Sequence, residues 1–392
     1  MNTHILLCLA LWCALGTVAV STSNAATEAD APALGVRVQV LLDRALQADA
    51  SIPGALLSIS APSIHFDWAG ASGRIAIDGP QRLVPNQPFR IASVTKVFVA
   101  AAIFKLSEQR QLALYGSIST YLTPETRNDL RQSGYDIDRI TIQQLLSHTG
   151  GLYDYADDPA YSAEVAASPR KRWTRSEQIR LTIEHGKPVG LPGERFAYSD
   201  TNYLILGEII EGITHQPLPA AIRSLLQLDA LGLKSTYFES LEPAPHNSLP
   251  LAHQYWLSTD FAGVDPSFDL FGGGGIVSTT TDLNRFMRAL LQGHLFALPQ
   301  TLASALMTVD ARHDPTDHLH ANLLTTYPFG RRMCWGHRGV WATEVLYCPD
   351  IDLALTVTLN QSEELDGPVL KDLVAAIADE FEKIPGFSLH AP

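Results

Sequence analysis

Phe89–Gln109 reads FRIASVTKVFVAAAIFKLSEQ. Every position from Val97 to Phe104 is apolar. A helix that is apolar all round is a buried helix, so this segment is expected to run through a core. Its first turn carries Ser93 and Lys96. Residues three apart share one helix face. An ammonium beside Val97 is costly to bury unless it has a partner or a chemical task. A desolvated lysine has a lowered pKa and takes a proton from a neighbouring hydroxyl. Backbone N–H groups at the helix start can hold an oxyanion.

Working outward, strands flank this helix at both ends of the chain. Ala55–Ser60 and His65–Ala71 read as a hairpin before it, after a helix over residues 34–49. Far downstream, RRMCWGHRG, ATEVLYC and LALTVTL, between Phe329 and Asn360, read as strands joined by short turns. Between them lie helices with clear start signals. Thr141–Gln144 and Thr174–Glu177 are capping boxes, and others run over 201–213 and from Thr279 to near Gly293. Pro368 opens a last helix. The expected fold is α/β of the α+β type. One antiparallel sheet is built from both chain ends and covered by the terminal helices and the Ser93 helix. A mostly helical subdomain lies to one side, with a cleft between. The α/β part takes about 34–110 and 275–387, and the helical part about 111–274.

The chain has 392 residues, 46% hydrophobic and 18% charged, which suits a packed core and disfavours disorder. A net charge of −13 repels phosphate backbones, so nucleic acid is not an expected partner. Ile5–Val20 (ILLCLALWCALGTVAV) followed by Ser23-Asn24-Ala25 reads as a secretory signal peptide over residues 1–25. The mature protein is then periplasmic or secreted, with no stable membrane span. Cys334 and Cys348 remain after cleavage. They fall on two strands about a turn near Trp341, where a disulfide is the expectation and two buried thiols the alternative.

Several segments, in order, extend the Ser93-Val-Thr-Lys96 motif. They are Leu145-Leu-Ser-His-Thr-Gly-Gly151, Pro192-Gly-Glu-Arg-Phe-Ala-Tyr198-Ser-Asp200-Thr-Asn-Tyr203, Gly273-Gly-Gly275-Ile-Val-Ser-Thr279 and Gly336-His337-Arg338-Gly339. With these the sequence resembles the serine β-lactamase and D-Ala-D-Ala carboxypeptidase (penicillin-binding protein) superfamily, nearest its class C-like branch, from about Pro53 to about Asn360. The resemblance implies a β-lactamase/transpeptidase-like fold and a serine hydrolase that needs no cofactor or metal. It implies Ser93 as acylated nucleophile, Lys96 as partner base or proton relay, and Tyr198 sharing the base role, its phenol ionised by the Lys96 charge. Asp200 stands where the family usually has Asn, and His337 fills its Lys/His position. Gly339 lies on the substrate strand. The N–H groups of Ser93 and Val340 would form the oxyanion hole.

The implied activity is that of a D-alanyl-D-alanine carboxypeptidase-like enzyme or D-amino-acid peptidase acting on a small-molecule or peptidoglycan-peptide substrate. A serine esterase or β-lactamase of the same fold, and a non-catalytic penicillin-binding homologue, are the alternatives. Arg338 is a candidate partner for a substrate carboxylate, although strand alternation turns it opposite to His337. Val340-Trp341-Ala342, where relatives have glycines, is expected to narrow the site. His148 reads as a loop-stabilising residue. His313, Asp314, Asp317, His318 and His320 have metal-ligand types but no rigid frame, and read as a solvated loop.

Overall fold

The computed structural model describes residues 30–309, 319–362, 365, 367–384 and 387. Strands are β1 (Gly54–Ala61), β2 (Phe66–Gly73), β3 (Phe89–Arg90), β4 (Tyr237–Phe238), β5 (Tyr255–Trp256), β6 (Thr259–Asp260), β7 (Ile276–Ser278), β8 (Thr325–Phe329), β9 (Arg332–Gly339), β10 (Thr343–Cys348) and β11 (Leu353–Thr358). Helices are α1 (Asp30–Ala48), α2 (Thr95–Glu108), α3 (Pro124–Gln132), α4 (Ile142–Leu146), α5 (Pro159–Ala167), α6 (Arg175–Glu184), α7 (Asp200–Thr214), α8 (Leu218–Leu226), α9 (Thr280–Leu291), α10 (Pro299–Ala305) and α11 (Pro368–Glu382). The signal-peptide reading and the residues from His313 to His318 lie outside the described residues.

The main sheet has the order β2-β1-β11-β10-β9-β8, and its neighbouring strands run antiparallel. The N-terminal hairpin thus zips onto the C-terminal strands, with Ile59 opposite Leu355. Alternation along β1 sorts its side chains between two cores. Leu57 and Ile59 join Leu355 and Val357 in a core with α1 and α11, which includes Val38 and Phe381. Leu56 belongs to a second core around α2. On that second face α9 covers the sheet. Its Asn284 donates to Ser58 Oγ at 2.8 Å and accepts from Thr356 Oγ1 at 2.7 Å. The covering helix is therefore α9. The Ser93 helix, expected on the sheet, packs mainly against α7, α8 and α10. Its all-round apolar surface suits the centre of a helical layer better than one face of a sheet.

In α2 every residue from Thr95 to Phe104 is buried, and Phe98 stacks on Phe286 of α9 with centroids 3.7 Å apart. Each buried Val, Ile or Phe contributes about 1.5–3 kcal/mol, so the helix is a rigid base for the residues at its start. The capping boxes at Thr141 and Thr174 both form, and Thr279 caps α9 by accepting from Asp282 N. The Cys334–Cys348 disulfide joins β9 and β10.

Candidate active site

Ser93 sits in a single 3₁₀ turn, Ala92–Val94, that leads into α2. Ala92 just before it takes φ 45°, an uncommon backbone for a residue with a Cβ. The end of β9 packs directly on this turn. A Cβ on Gly339 would lie 2.4 Å from the carbonyl oxygen of Ile91, so only glycine permits the approach. Val340 follows at the cleft edge. Trp341 does not narrow the cleft as expected. It is fully buried in the wall, 5.5 Å from Phe261 and 6.2 Å from Trp256 between ring centroids.

Lys96 is wholly buried. Its ammonium donates to Ser93 Oγ at 2.8 Å and to the carbonyl oxygen of Gly273 at 2.8 Å, and it pairs with Asp200 Oδ1 at 2.6 Å. Three protons thus have three acceptors. The Gly272–Gly275 run makes this possible: Gly272 takes φ 125° and Gly275 φ 110°, conformations a side chain would resist. Burial by itself pushes the Lys96 pKa down. The charges of Asp200, Tyr198 and Asp269 more than offset it, and the net displacement is upward. The expectation of a lowered lysine pKa is therefore reversed, because Asp200 replaces a neutral Asn beside the ammonium.

Tyr198 approaches from the loop before α7. His148 holds that loop from both sides. Its carbonyl oxygen accepts from Ala197 N at 2.8 Å, and its Nδ1 accepts from Ser199 N at 3.1 Å. Its ring stacks on Tyr198 with centroids 4.2 Å apart. The loop-stabilising reading of His148 fits these contacts, and burial keeps its imidazole neutral, well below its ordinary pKa. Tyr198 is 41% exposed as a residue, and its hydroxyl lies beside Lys96 and Ser93. Burial pushes the phenol up to about 12, against the pull of the Lys96 charge. The resting phenol is protonated rather than ionised.

His337 on β9 lines the same cleft, and its Nδ1 donates to the carbonyl oxygen of Arg338 at 2.7 Å. Burial, then the Lys96 charge, lowers its pKa to about 4, so the ring is neutral near pH 7. Arg338 donates to Glu344 at 2.6 Å, its register partner on β10, and stacks 4.5 Å over Tyr327. Arg338 lines the cleft together with His337 and Tyr327, although strand alternation was expected to turn it away.

Asp154 and Asp269 join this group without any sequence signal. They stand in separate loops of no recognisable motif. Asp154 Oδ1 accepts from Asp200 N at 3.0 Å. Burial, and next the Asp200 charge, raise the pKa of both carboxyls. The cleft in front of Ser93 measures about 1010 Å³ and holds Asp154, Asp157, Asp200 and Asp269 together with Tyr161, Val165 and Phe268. Among the described residues, no group of three or more His, Cys, Asp or Glu is arranged to hold a metal ion. None of their helices is long and apolar enough to cross a membrane.

A family profile described as Beta-lactamase matches residues 29–379. Esterase EstB of Burkholderia gladioli is 28% identical over 317 residues, covering 73% of this chain and 77% of that protein. The D-amino acid amidase of Ochrobactrum anthropi SV3, solved with D-phenylalanine, superposes with a TM-score of 0.74 at 21% identity, covering 89% of this chain and 99% of that one. The octameric penicillin-binding protein homologue from Pyrococcus abyssi superposes with a TM-score of 0.72 at 21% identity, covering 90% and 79%. These structural likenesses show a shared mixed fold of antiparallel sheet and helices.

Proposed function

This chain belongs to the Beta-lactamase family, and from that premise we propose that it is a serine hydrolase working through an acyl-Ser93 intermediate on amides or peptides of D-amino acids. The single observation that carries the reading is the buried Lys96 ammonium, 2.8 Å from Ser93 Oγ and 2.6 Å from Asp200. Asp200 is the carboxylate paired with the Lys96 ammonium. The Ser93 proton passes to Lys96 while Lys96 gives one to Asp200, and Ser93 Oγ bonds to the substrate carbonyl carbon. The protonated Tyr198 phenol donates its proton to the leaving nitrogen or oxygen and regains one from the Lys96–Asp200 pair. Water then takes the place of the leaving group, and its proton follows the same route as the Ser93 ester breaks. The N–H groups of Ser93 and Val340 stabilise the oxyanion in both steps.

Charge separates the finer readings. A D-Ala-D-Ala carboxypeptidase or a β-lactamase receives a substrate carboxylate. Around Ser93, Lys96 is paired with Asp200, Arg338 with Glu344, and His337 is neutral. Asp154, Asp157, Asp200, Asp260 and Asp269 line the cleft, the Asp154 and Asp269 carboxyls pushed up to about 8 and about 7. With Lys96 and Arg338 engaged by carboxylates of the chain, the site offers a substrate carboxylate no strong partner and tolerates a free amine, which supports a hydrolase of D-residue amides or peptides; the O. anthropi neighbour is named a D-amino acid amidase. Esterase action is the second reading, favoured by the likeness to EstB and by the same acyl-enzyme chemistry.

Export through a leader at residues 1–25, to the periplasm or medium, belongs to the proposal, and sequencing the mature N-terminus tests it. The activity is tested with D-phenylalaninamide, its L-isomer, 4-nitrophenyl acetate and a peptide ending in D-Ala-D-Ala. Turnover of the D-amide above the L-amide and the D-Ala-D-Ala peptide is expected, with a loss of about 10³-fold or more in Ser93→Ala. Preferential release of D-Ala would reinstate the carboxypeptidase reading.

A further inference from the structure

The cleft is far larger than an alanine side chain needs, and one element at its mouth has an unusual build. Strands β5 and β6 pair Trp256 with Thr259, leaving Leu257 and Ser258 as a two-residue turn. Leu257 takes φ 54°. The first position of such a turn favours glycine or asparagine, because a Cβ is strained there. The turn nevertheless carries a leucine that is 55% exposed, next to a tryptophan that is 40% exposed. Both line the cleft that holds Ser93.

The hairpin is firmly anchored. Leu257 N donates to Ser362 Oγ at 3.0 Å, and Tyr255 N to the carbonyl oxygen of Asn360 at 3.0 Å. At its base, Phe261 N donates to the carbonyl oxygen of Gln254, and Arg90, three residues from the nucleophile, donates to the carbonyl oxygen of Phe261 at 2.7 Å. Trp256 rests on Phe261 and Trp341, whose centroids are 6.1 and 6.2 Å from it. Backbone strain kept under an exposed apolar side chain at a site mouth calls for a functional account.

We propose that Trp256 and Leu257 form an apolar lip that selects substrates bearing a bulky aromatic or branched aliphatic group near the scissile bond. This inference rests on Ser93 being the nucleophile of a hydrolase. The lip is built into the sheet's C-terminal end by Ser362 and tied to the nucleophile turn through Arg90. Occupying it buries apolar surface of both substrate and Trp256, which favours binding in proportion to the area covered.

The test uses the full chain and two variants, Leu257→Gly and Trp256→Ala. Two ester series are measured: acetate, butyrate and phenylacetate of 4-nitrophenol, and methyl against benzyl esters of one acid. Both variants are expected to lower the ratio of kcat/KM for bulky over small substrates by about tenfold in one series, with small substrates little changed. Leu257→Gly is expected to melt at the same temperature or higher, since glycine adopts the turn without strain. Unchanged ratios in both series and both variants would overturn the lip. If the wild type cleaves no ester or amide and a fluorophosphonate does not label Ser93, the hydrolase reading itself falls, and the lip with it.

Discussion

Asp200 changes the character of the lysine it touches. A lone ammonium in a protein interior costs several kcal/mol, and Lys96 avoids this with a carboxylate 2.6 Å away and two neutral acceptors. With the family's usual Asn there, the lysine would titrate lower and act as a base by itself. With Asp, it rests charged, and the proposed mechanism has it pass protons between Ser93 and the carboxylate. Asp200→Asn leaves an oxygen to accept from Lys96 but removes the proton sink. Its kcat is expected to fall by about 10²-fold or more with little change in KM, read by steady-state kinetics. A kcat equal to the wild type's would mean that Lys96 works unaided. Ser93, Lys96, Tyr198, Asp200 and His337 were legible in the sequence because each lies in a short motif with fixed spacing. The protonation states of Lys96, Tyr198 and His337 were not, because these depend on the depth of burial and on charges, Asp269 among them, brought close by folding. Asp154, Asp200 and Asp269 meet only in the folded chain.

At the level of elements, β9 and the nucleophile turn form one working joint. Gly339 lets the strand lie against Ile91, and the disulfide ties β9 to β10 behind it. A methyl at 339 would push strand and turn apart. Gly339→Ala is expected to lose at least about tenfold in kcat/KM, because small misplacements at a reacting centre are costly. Retained kinetics would mean that β9 does not position the site. Helices α4, α6 and α9 were readable because Thr followed by Gln, Glu or Asp three residues later marks a start. Helices α3, α5, α8 and α10 were missed. Each begins with or just after a proline, and their short lengths left too few turns for a periodic pattern. Strand β8 was missed for a related reason: its five residues include Pro328, which a sheet edge tolerates. The helix that covers the sheet was misassigned because burial on all sides identifies a buried helix without naming its neighbours.

Across the whole molecule, the chain's two ends build the sheet, and the middle builds the wall opposite it. Ser93 lies where the two meet. The strongly negative chain gathers five aspartates in the cleft, while Lys96 and Arg338 are paired within the chain. On the proposed reading, the pairings that keep Lys96 buried and charged leave a substrate carboxylate without a cationic partner. The account stands or falls on Ser93 as a nucleophile driven by Lys96 and Asp200. The most direct measurement is the intact mass of the wild type and Ser93→Ala after exposure to a fluorophosphonate, followed by peptide mapping. The account predicts one adduct, on Ser93, in the wild type alone. An adduct on another residue, or equal labelling of Ser93→Ala, would contradict it.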